Sequence, residues 1–203
     1  MTPIYRMVHI DNLSKLLDWG GDYAPQKCVD QGLTKRVIHH GHIMDRRKSR
    51  QVPCRASSSL ADYVPFYFRT RSPMLFAINK GGVEGYAGQS DLIYLQSTAE
   101  AIAGAGLDYV FSNGHAVMEY ADFFDDLTNL DKIPWEVVGA KYWNDHEDGR
   151  FKCQSEFLVR DFFPLSQIAT IGVFNEAMAQ KVREQLEQQN KNIDVTTQRS
   201  WYF

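Results

Sequence analysis

A single acidic residue in an otherwise apolar stretch is the first candidate for chemistry. Residues 153–159 read Cys-Gln-Ser-Glu-Phe-Leu-Val, and alternation along an extended strand would put Glu156 and Phe157 on opposite faces. An ionised carboxylate that is buried without a partner costs several kcal/mol, so the fold must either pair this group or expose it. The stretch therefore predicts either a carboxylate used for binding or catalysis, or a glutamate facing solvent at a sheet edge.

A local concentration of positive charge is the second candidate feature. Residues 34–55 contain seven Lys or Arg side chains against the single acid Asp45, whereas the whole chain carries a formal charge of −3. The opposite bias occurs in residues 119–131 and 144–148. The basic stretch also contains the histidines His39, His40 and His42. A basic segment on a mildly acidic body suits a phosphate-bearing ligand or a nucleic-acid strand, and a solvated loop is the alternative.

Length and composition limit the class of protein. A chain of 203 residues with 44% hydrophobic and 23% charged residues is typical of a soluble globular protein, and we expect one domain over residues 1–203. The longest apolar runs are far shorter than the roughly 20 residues of a membrane span, and the N-terminus lacks a signal-peptide pattern. The three scattered cysteines show no metal-ligand spacing and favour a reduced compartment. We therefore expect a cytoplasmic protein that binds neither a metal nor a membrane.

The predicted strands and helices alternate irregularly. Strands are expected over residues 4–9, 63–68, 91–96, 107–111, 153–159, 168–174 and 193–197. Helices are expected between Asp11 and Gly20, near 42–50, and over 73–80, 98–103, 121–127 and 175–189. Because this order lacks the repeated crossover spacing of a doubly wound sheet, we expect an α+β fold. Residues 22–60 form a long polar and basic insertion, and such loops are usually functional or disordered.

Four segments taken in order resemble one protein family. They are Tyr-Arg-Met-Val-His-Ile-Asp-Asn-Leu at 5–13, Asp-Arg-Arg-Lys at 45–48, Asp-Tyr-Val-Pro-Phe-Tyr-Phe at 62–68 with Arg-Ser-Pro-Met-Leu at 71–75, and Gln-Ser-Glu-Phe-Leu-Val at 154–159. The segments at 113–116 and 141–145 and the closing Trp-Tyr-Phe extend the likeness over essentially the whole chain. In this order they resemble the DarT family of bacterial DNA ADP-ribosyltransferases, toxins of a toxin–antitoxin pair.

The resemblance implies a fold and an activity. The fold would be an ADP-ribosyltransferase fold with a split β-sheet core and flanking helices, with residues 22–60 near NAD and DNA. The activity would use NAD as a substrate to modify thymidine in single-stranded DNA, and a partner antitoxin carrying a macrodomain would remove the modification. The alternatives are an ADP-ribosyltransferase that acts on guanine, RNA or protein, and a nucleic-acid-binding module without catalysis.

The resemblance also implies two catalytic residues. Glu156 matches the family's catalytic glutamate, and a carboxylate bonded to the ribose 2′-hydroxyl would stabilise the oxocarbenium-like state in which the nicotinamide–ribose bond breaks. Arg47 matches a second catalytic position. Because a guanidinium is a weak base, we favour a role for Arg47 in stabilising the thymine anion, and a phosphate clamp is the alternative.

The same resemblance assigns the remaining candidates to binding. The residues implied in NAD binding are Arg6, His9, Asn12 and Tyr67. The residues implied in DNA binding are Arg71, Met74, His115 and Arg150. Some members of the family carry His in place of Arg6, and an Arg there could pair with the pyrophosphate. The residues themselves leave alternatives open: a helix cap for Asn12, core packing for Tyr67, and the buried face of a helix for Met74.

Overall fold

The centre of the molecule is a large, mostly antiparallel sheet with helices packed around it. The computed structural model describes residues 1–36, 41–86 and 88–203, so His39 and His40 of the basic stretch lie outside the described residues. The strands are β1 (Pro3–His9), β2 (Gly21–Tyr23), β3 (Tyr63–Tyr67), β4 (Leu92–Thr98), β5 (Tyr109–Ser112), β6 (Phe123–Phe124), β7 (Glu156–Arg160), β8 (Phe162–Pro164), β9 (Thr170–Val173) and β10 (Val195–Thr197). The helices are α1 (Leu13–Trp19), α2 (Pro25–Asp30), α3 (Gly41–Ser49), α4 (Pro73–Asn79), α5 (Ala99–Gly104), α6 (Trp135–Gly139), α7 (Gly149–Lys152) and α8 (Glu176–Gln188).

The main sheet is nearly divided between two of its strands. Its order is β10-β9-β4-β1-β3-β7-β5-β6, and β2 pairs with β8 separately. Strand β1 is in register with β4 at seven positions, and β3 with β7 at five. Strands β1 and β3, in contrast, share one registered pair, Tyr5 with Tyr67. The sheet is therefore split next to Tyr67, and the expected α+β class is confirmed.

Two large hydrophobic clusters pack on the sheet, and one of them crosses the split because it joins Ile4 of β1 to residues of β3. On the β1 side, α1 and α8 cover β4 and β9, with Leu16 of α1 and Val182 of α8 in the same buried cluster. On the β3 side, the cluster is rich in aromatic rings, and Phe111 of β5 stacks with Phe157 of β7 at a centroid distance of 6.3 Å. Because close-packed side chains cover the strands on both sides of the split, these strands are held in fixed positions.

Local sequence signals set the ends of several helices. The apolar positions of α1 fall three and four residues apart, and the helix ends at Gly20, which adopts φ 76° in the left-handed region. The predicted N-cap of α4 is confirmed, because the Ser72 hydroxyl accepts from the Leu75 N–H at 3.2 Å. The predicted cap of α8 is confirmed too, since Asn175 Oδ1 accepts from the Met178 N–H at 2.9 Å.

One sequence prediction about local structure is wrong, and a second is wrong in where the element begins. The helix expected over 121–127 is replaced by β6 and a following 3₁₀ helix, because Phe123 and Phe124 pair with β5 and complete the edge of the sheet. The strand expected over 153–159 begins at Glu156, since Gln154 and Ser155 close a turn onto the end of α7. The region 22–60 also contains α2, for which no element was expected. Within the described ranges, no helix has both the length and the apolar character needed to cross a bilayer.

Candidate active site

A large cavity lies where the two halves of the sheet separate. Its volume is about 1050 Å³, and its lining includes Arg6 of β1, Tyr67 of β3, Arg47 of α3 and Glu156 of β7. It therefore brings together residues from the first strand, the basic insertion and the C-terminal half of the chain. A cavity of this size has room for a dinucleotide.

Glu156 is buried in this cavity, and both of its carboxylate oxygens have partners. Its Oε2 accepts a hydrogen bond from Arg47 Nη1 at 2.9 Å, and its Oε1 accepts from the Ala116 main-chain N–H at 3.1 Å. The same Oε1 lies 3.1 Å from Nδ1 of His115. Burial by itself would raise the pKa of Glu156, but Arg47 and His115 beside it lower that pKa to about 2. Glu156 is therefore an ionised, buried carboxylate at neutral pH, and the solvent-facing alternative does not apply.

Arg47 is held over Glu156 by helix α3. The Arg47 side chain is 8% exposed, and its Nη2 donates to the Leu60 carbonyl at 3.4 Å. Its Nε is buried and has no hydrogen-bond partner among the described residues. A buried N–H donor without a partner is costly, which makes this guanidinium edge a candidate contact for a polar group of a substrate. The neighbouring Arg46 and Lys48 are exposed and line the same cavity.

A short turn between β5 and β6 supplies the two donors to Oε1 of Glu156. The His115 N–H donates to the Phe151 carbonyl at 3.1 Å, and the Met118 N–H donates to the His115 carbonyl at 3.0 Å. Gly114 allows this close packing, because a Cβ there would lie 2.1 Å from Cζ of Phe151. The turn is thus fixed against α7, and it places an N–H and an imidazole at the same carboxylate oxygen.

A second group of charges lines another part of the cavity. Asp22 is 1% exposed, and its Oδ2 accepts from Arg6 Nε at 2.9 Å. Its Oδ1 accepts from Lys35 Nζ, and Arg6 Nη1 also donates to the Pro65 carbonyl at 3.3 Å. Burial by itself would raise the pKa of Asp22, but Lys35 and Arg6 hold that pKa below its usual value. One buried anion between two cations leaves a net positive charge at this end of the cavity.

His9 and Asn12, both predicted to bind NAD, have partners within the chain. His9 Nδ1 accepts from the Asp11 N–H at 3.1 Å, and His9 is not among the residues that line the cavity. Asn12 does line the cavity, but both polar atoms of its side chain contact the Arg36 main chain at 2.7 Å. Asn12 occupies the N-cap position of α1, as the helix-cap alternative has it, but its side chain makes no capping bond there. In this structure Asn12 fixes the cavity wall at Arg36.

Tyr67 is half-buried in the wall of the cavity, directly opposite Glu156 in the pairing of β3 with β7. Burial, and then the nearby Glu156 carboxylate, raise the pKa of the Tyr67 hydroxyl. Tyr67 therefore stays neutral and offers the cavity an aromatic ring and an un-ionised hydroxyl. Phe66, its neighbour along the strand, is completely buried in the core on the other face.

The four residues predicted to bind DNA fall into two places. Met74, His115 and Arg150 line the large cavity, and Arg150 is exposed. Met74 also packs against a buried cluster of the fold, so its apolar side chain contacts both the core and the cavity. Arg71 instead lines a smaller, neighbouring cavity, where its Nε donates to the Tyr202 carbonyl at 2.7 Å.

This second cavity combines aromatic rings with cations. Its volume is about 400 Å³. Its lining consists of Phe76, Tyr142, Trp143 and Phe203 together with Arg71, Lys141 and Asn144. Phe76 is 40% and Tyr142 60% exposed, and exposed rings that line one cavity form an apolar patch of the kind that marks a binding surface. Asn144 lines both cavities, so the two are adjacent.

Sequence reasoning missed some residues of the site. Asp22 lies in the short strand β2, at the start of the 22–60 insertion, and a lone Asp there gives no signal of burial. Lys35 belongs to the basic stretch, where nothing in the sequence indicates its partner. The Ala116 N–H is a main-chain group and has no sequence signature. Among the described residues, no group of His, Cys, Asp and Glu has an arrangement that could hold a metal ion.

Comparisons with known proteins agree with this geometry. The family model of DarT, described as an ssDNA thymidine ADP-ribosyltransferase, matches residues 5–203. A DNA ADP-ribosyl transferase from Thermus sp. (strain 2.9) is 39% identical over 204 residues, which span 100% of this chain and 96% of that protein. Thermus sp. 2.9 DarT in complex with ADP-ribosylated ssDNA superposes with a TM-score of 0.94 at 38% identity, over 100% of this chain and 96% of that one.

Two further matches add to this result. Thermus sp. 2.9 DarT in complex with NAD+ has a TM-score of 0.90 at 37% identity, over 100% of this chain and 98% of that one. A DNA ADP-ribosyl transferase–DNA ADP-ribosyl glycohydrolase fusion protein from Thermosipho africanus is 22% identical over 202 residues, and this chain spans 49% of its length. Fold and matches together define an NAD-dependent ADP-ribosyltransferase whose acceptor is DNA. More narrowly, the chain belongs to the DarT family of single-stranded DNA thymidine ADP-ribosyltransferases.

Proposed function

We propose that the large cavity carries out this transfer with Glu156 at the scissile ribose and Arg47 at the acceptor base. The observation that carries the proposal is the direct pairing of these two buried side chains in one cavity of dinucleotide size. In the reaction, the bond between nicotinamide and the ribose C1 breaks, and nicotinamide leaves with the electron pair. A thymine ring nitrogen loses its proton to solvent, and its electron pair forms the new bond to C1.

Glu156 would act on the ribose as positive charge develops there. An ionised carboxylate has about four lone-pair sites, and Arg47, His115 and the Ala116 N–H use three of them. The remaining site can accept a ribose hydroxyl, whose hydrogen bond strengthens in the oxocarbenium-like transition state. A fixed partner of this kind typically contributes about 3–4 kcal/mol.

Arg47 would act on the base. A guanidinium has N–H donors and no acceptor, so it is not suited to take up the proton of the base. Arg47 is buried beside Glu156 and lines the cavity, where its guanidinium can donate to a thymine oxygen as the ring becomes anionic. This supports anion stabilisation over a simple phosphate clamp, for which the exposed Arg46 and Lys48 are better placed.

The rest of NAD and the DNA strand would occupy the remaining surfaces. The diphosphate fits the net positive charge around Arg6 and Lys35, and Tyr67 offers a ring for the nicotinamide. The strand would continue over the second cavity, where exposed rings lie beside Arg71 and Lys141. Proteins that bind single strands combine stacking rings with cations in this way, and a single strand presents its bases without the cost of flipping.

The biological role we propose is that of a toxin acting in the cytoplasm, where NAD and DNA are both present. A modified thymine would block copying of the strand. Its counterpart would be an antitoxin macrodomain that removes ADP-ribose, and the Thermosipho fusion protein, as its name states, joins a transferase to a glycohydrolase. We propose that residues 1–203 form one catalytic domain, with the 22–60 insertion supplying Arg47 and Lys35.

The test is transfer of ADP-ribose from NAD to a pool of oligonucleotides, followed by mass spectrometry. The proposal predicts a gain of one ADP-ribose on thymine-containing single strands alone. A gain on guanine-only strands, RNA or added protein would establish a different acceptor. Binding of oligonucleotide without any mass gain would make the chain a nucleic-acid-binding module and contradict the proposal.

A further inference from the structure

Asp22 is the most deeply buried charge in the cavity that the proposed reaction does not use. It is 1% exposed, whereas the two cations that it contacts, Arg6 and Lys35, keep 17% and 10% of their side-chain surface. All three side chains line the cavity, and Asp22 is the least exposed of them. A substrate in the cavity can therefore contact the cations more readily than Asp22.

Both cations are fixed at a second point as well. Arg6 Nη1 donates to the Pro65 carbonyl at 3.3 Å, and Lys35 Nζ donates to the Tyr23 carbonyl. The main chain next to Lys35 is also anchored, because the Asn12 side chain bonds the Arg36 N–H and carbonyl at 2.7 Å each. Because both side chains are already fixed, they lose less conformational entropy when a ligand binds.

We propose that Asp22 is a positioning residue that holds Arg6 and Lys35 as a fixed pair for the diphosphate of NAD. The inference rests on the proposed function and adds to it a residue that does not itself touch the substrate. Two cations around one carboxylate keep a surplus positive charge, and a diphosphate supplies the complementary anion. Without the carboxylate, the two cations repel each other, and the long Lys35 side chain can move into solvent.

The main experiment compares Asp22→Asn with the wild type in the transfer assay. Loss of one or two charge-assisted bonds to the diphosphate should raise the KM for NAD and the inhibition constant of ADP-ribose by at least about tenfold. The kcat at saturating NAD should stay within about threefold, because the lost interaction is the same in the ground and transition states. The inhibition constant of nicotinamide, which has no phosphate, should not change.

Matched variants separate positioning from a general loss of structure. Asp161→Asn is the control, since that exposed carboxylate pairs with Lys27 at 3.6 Å on the surface. Asp22→Glu, which keeps the charge, should recover part of the NAD affinity. If Asp22→Asn does not fold, Asp22→Glu replaces it in the comparison, because its longer side chain shifts both cations and should weaken ADP-ribose binding without affecting nicotinamide.

Two outcomes would overturn the inference. Unchanged or tighter ADP-ribose inhibition in Asp22→Asn would mean that Asp22 competes with the diphosphate or has no effect on it. A parallel loss for ADP-ribose and nicotinamide would indicate a structural role alone. Failure of the proposed function is distinguishable, because it would appear as a wild-type protein that transfers nothing from NAD.

Discussion

Arg47 Nη1 donates a hydrogen bond of 2.9 Å to Glu156 Oε2, although 109 positions separate the two residues in the chain. Their pairing joins helix α3 of the basic insertion to the first residue of β7. Both side chains are almost completely buried, so this contact is stronger than a surface ion pair and its removal is more costly. The two groups proposed to act on ribose and base thus hold each other in place.

The first prediction concerns stability and pH. The pKa of Glu156 is about 2 in the folded chain against an ordinary value of 4.5, so its ionised form stabilises the fold above the ordinary pKa. This stabilisation is lost as pH falls towards the folded pKa. The stability difference between wild type and Glu156→Gln should therefore shrink by about 2 kcal/mol between about pH 6 and about pH 3. Urea unfolding of both proteins measures this difference, and a pH-independent value would contradict the pairing.

The second prediction concerns His115, which contacts Glu156 in addition to facing the cavity. His115→Ala should lower kcat by roughly tenfold at saturating NAD and oligonucleotide, because one donor to the carboxylate is removed. His146→Ala is the control, since His146 lines the same cavity but lies 3.9 Å from Glu136 instead. A change in the KM for the oligonucleotide with an unaltered kcat would mean that His115 binds DNA and does not support the carboxylate in the reaction.

The third prediction concerns the aromatic second cavity. Trp143 makes edge contacts with Phe76 and Phe203 there, at centroid distances of 6.0 and 6.2 Å. Trp143→Ala should weaken oligonucleotide binding by about 1–3 kcal/mol and leave the KM for NAD unchanged. Trp135→Ala is the matched control, because Trp135 is 41% exposed but packs on Phe68 outside both cavities. Equal effects of the two changes on fluorescence-monitored binding would exclude stacking at Trp143.

The fourth prediction concerns salt dependence. Arg46 and Lys48 are exposed and line the large cavity, and Arg46 also donates to the Val117 carbonyl at 3.4 Å. Arg50 is less exposed, is not among the lining residues and donates to the Glu119 carbonyl at 3.2 Å. Replacing Arg46 or Lys48 by Gln should flatten the slope of log affinity against log salt by roughly 0.7 for each DNA phosphate that is no longer neutralised. Arg50→Gln should leave that slope unchanged. Slopes that stay constant in all three variants would make the basic stretch a solvated surface.

The parts of the fold that the sequence predicts are those governed by neighbouring residues. The caps at Ser72 and Asn175 and the end of α1 at Gly20 depend on side chains and turns within a few positions. The helix expected over 121–127 failed because pairing with β5, a tertiary contact, decided the conformation of Phe123 and Phe124. Local propensity cannot detect such a partner.

The sequence predicts those parts of the candidate site that a residue's type and its neighbours along the chain indicate. A carboxylate in the apolar surroundings of Glu156 had to be paired or exposed, and the structure pairs it. The roles of Asp22 and the Ala116 N–H depend on contacts across 16 and 40 positions, which appear once the sheet is assembled. Arg71 lines the second cavity because it packs against Tyr202, which is also a contact between residues far apart in the chain.

The most direct measurement is the rate of ADP-ribose transfer by Glu156→Gln, which keeps the size of the side chain but removes its charge. The rate at saturating NAD and thymine-containing oligonucleotide should fall roughly 10²–10³-fold, while the circular dichroism spectrum at neutral pH stays that of the folded wild type. Glu184→Gln, at an exposed position of α8, should retain the wild-type rate. Near-wild-type transfer by Glu156→Gln would show that the carboxylate does not act on the ribose and would contradict the mechanism at its centre.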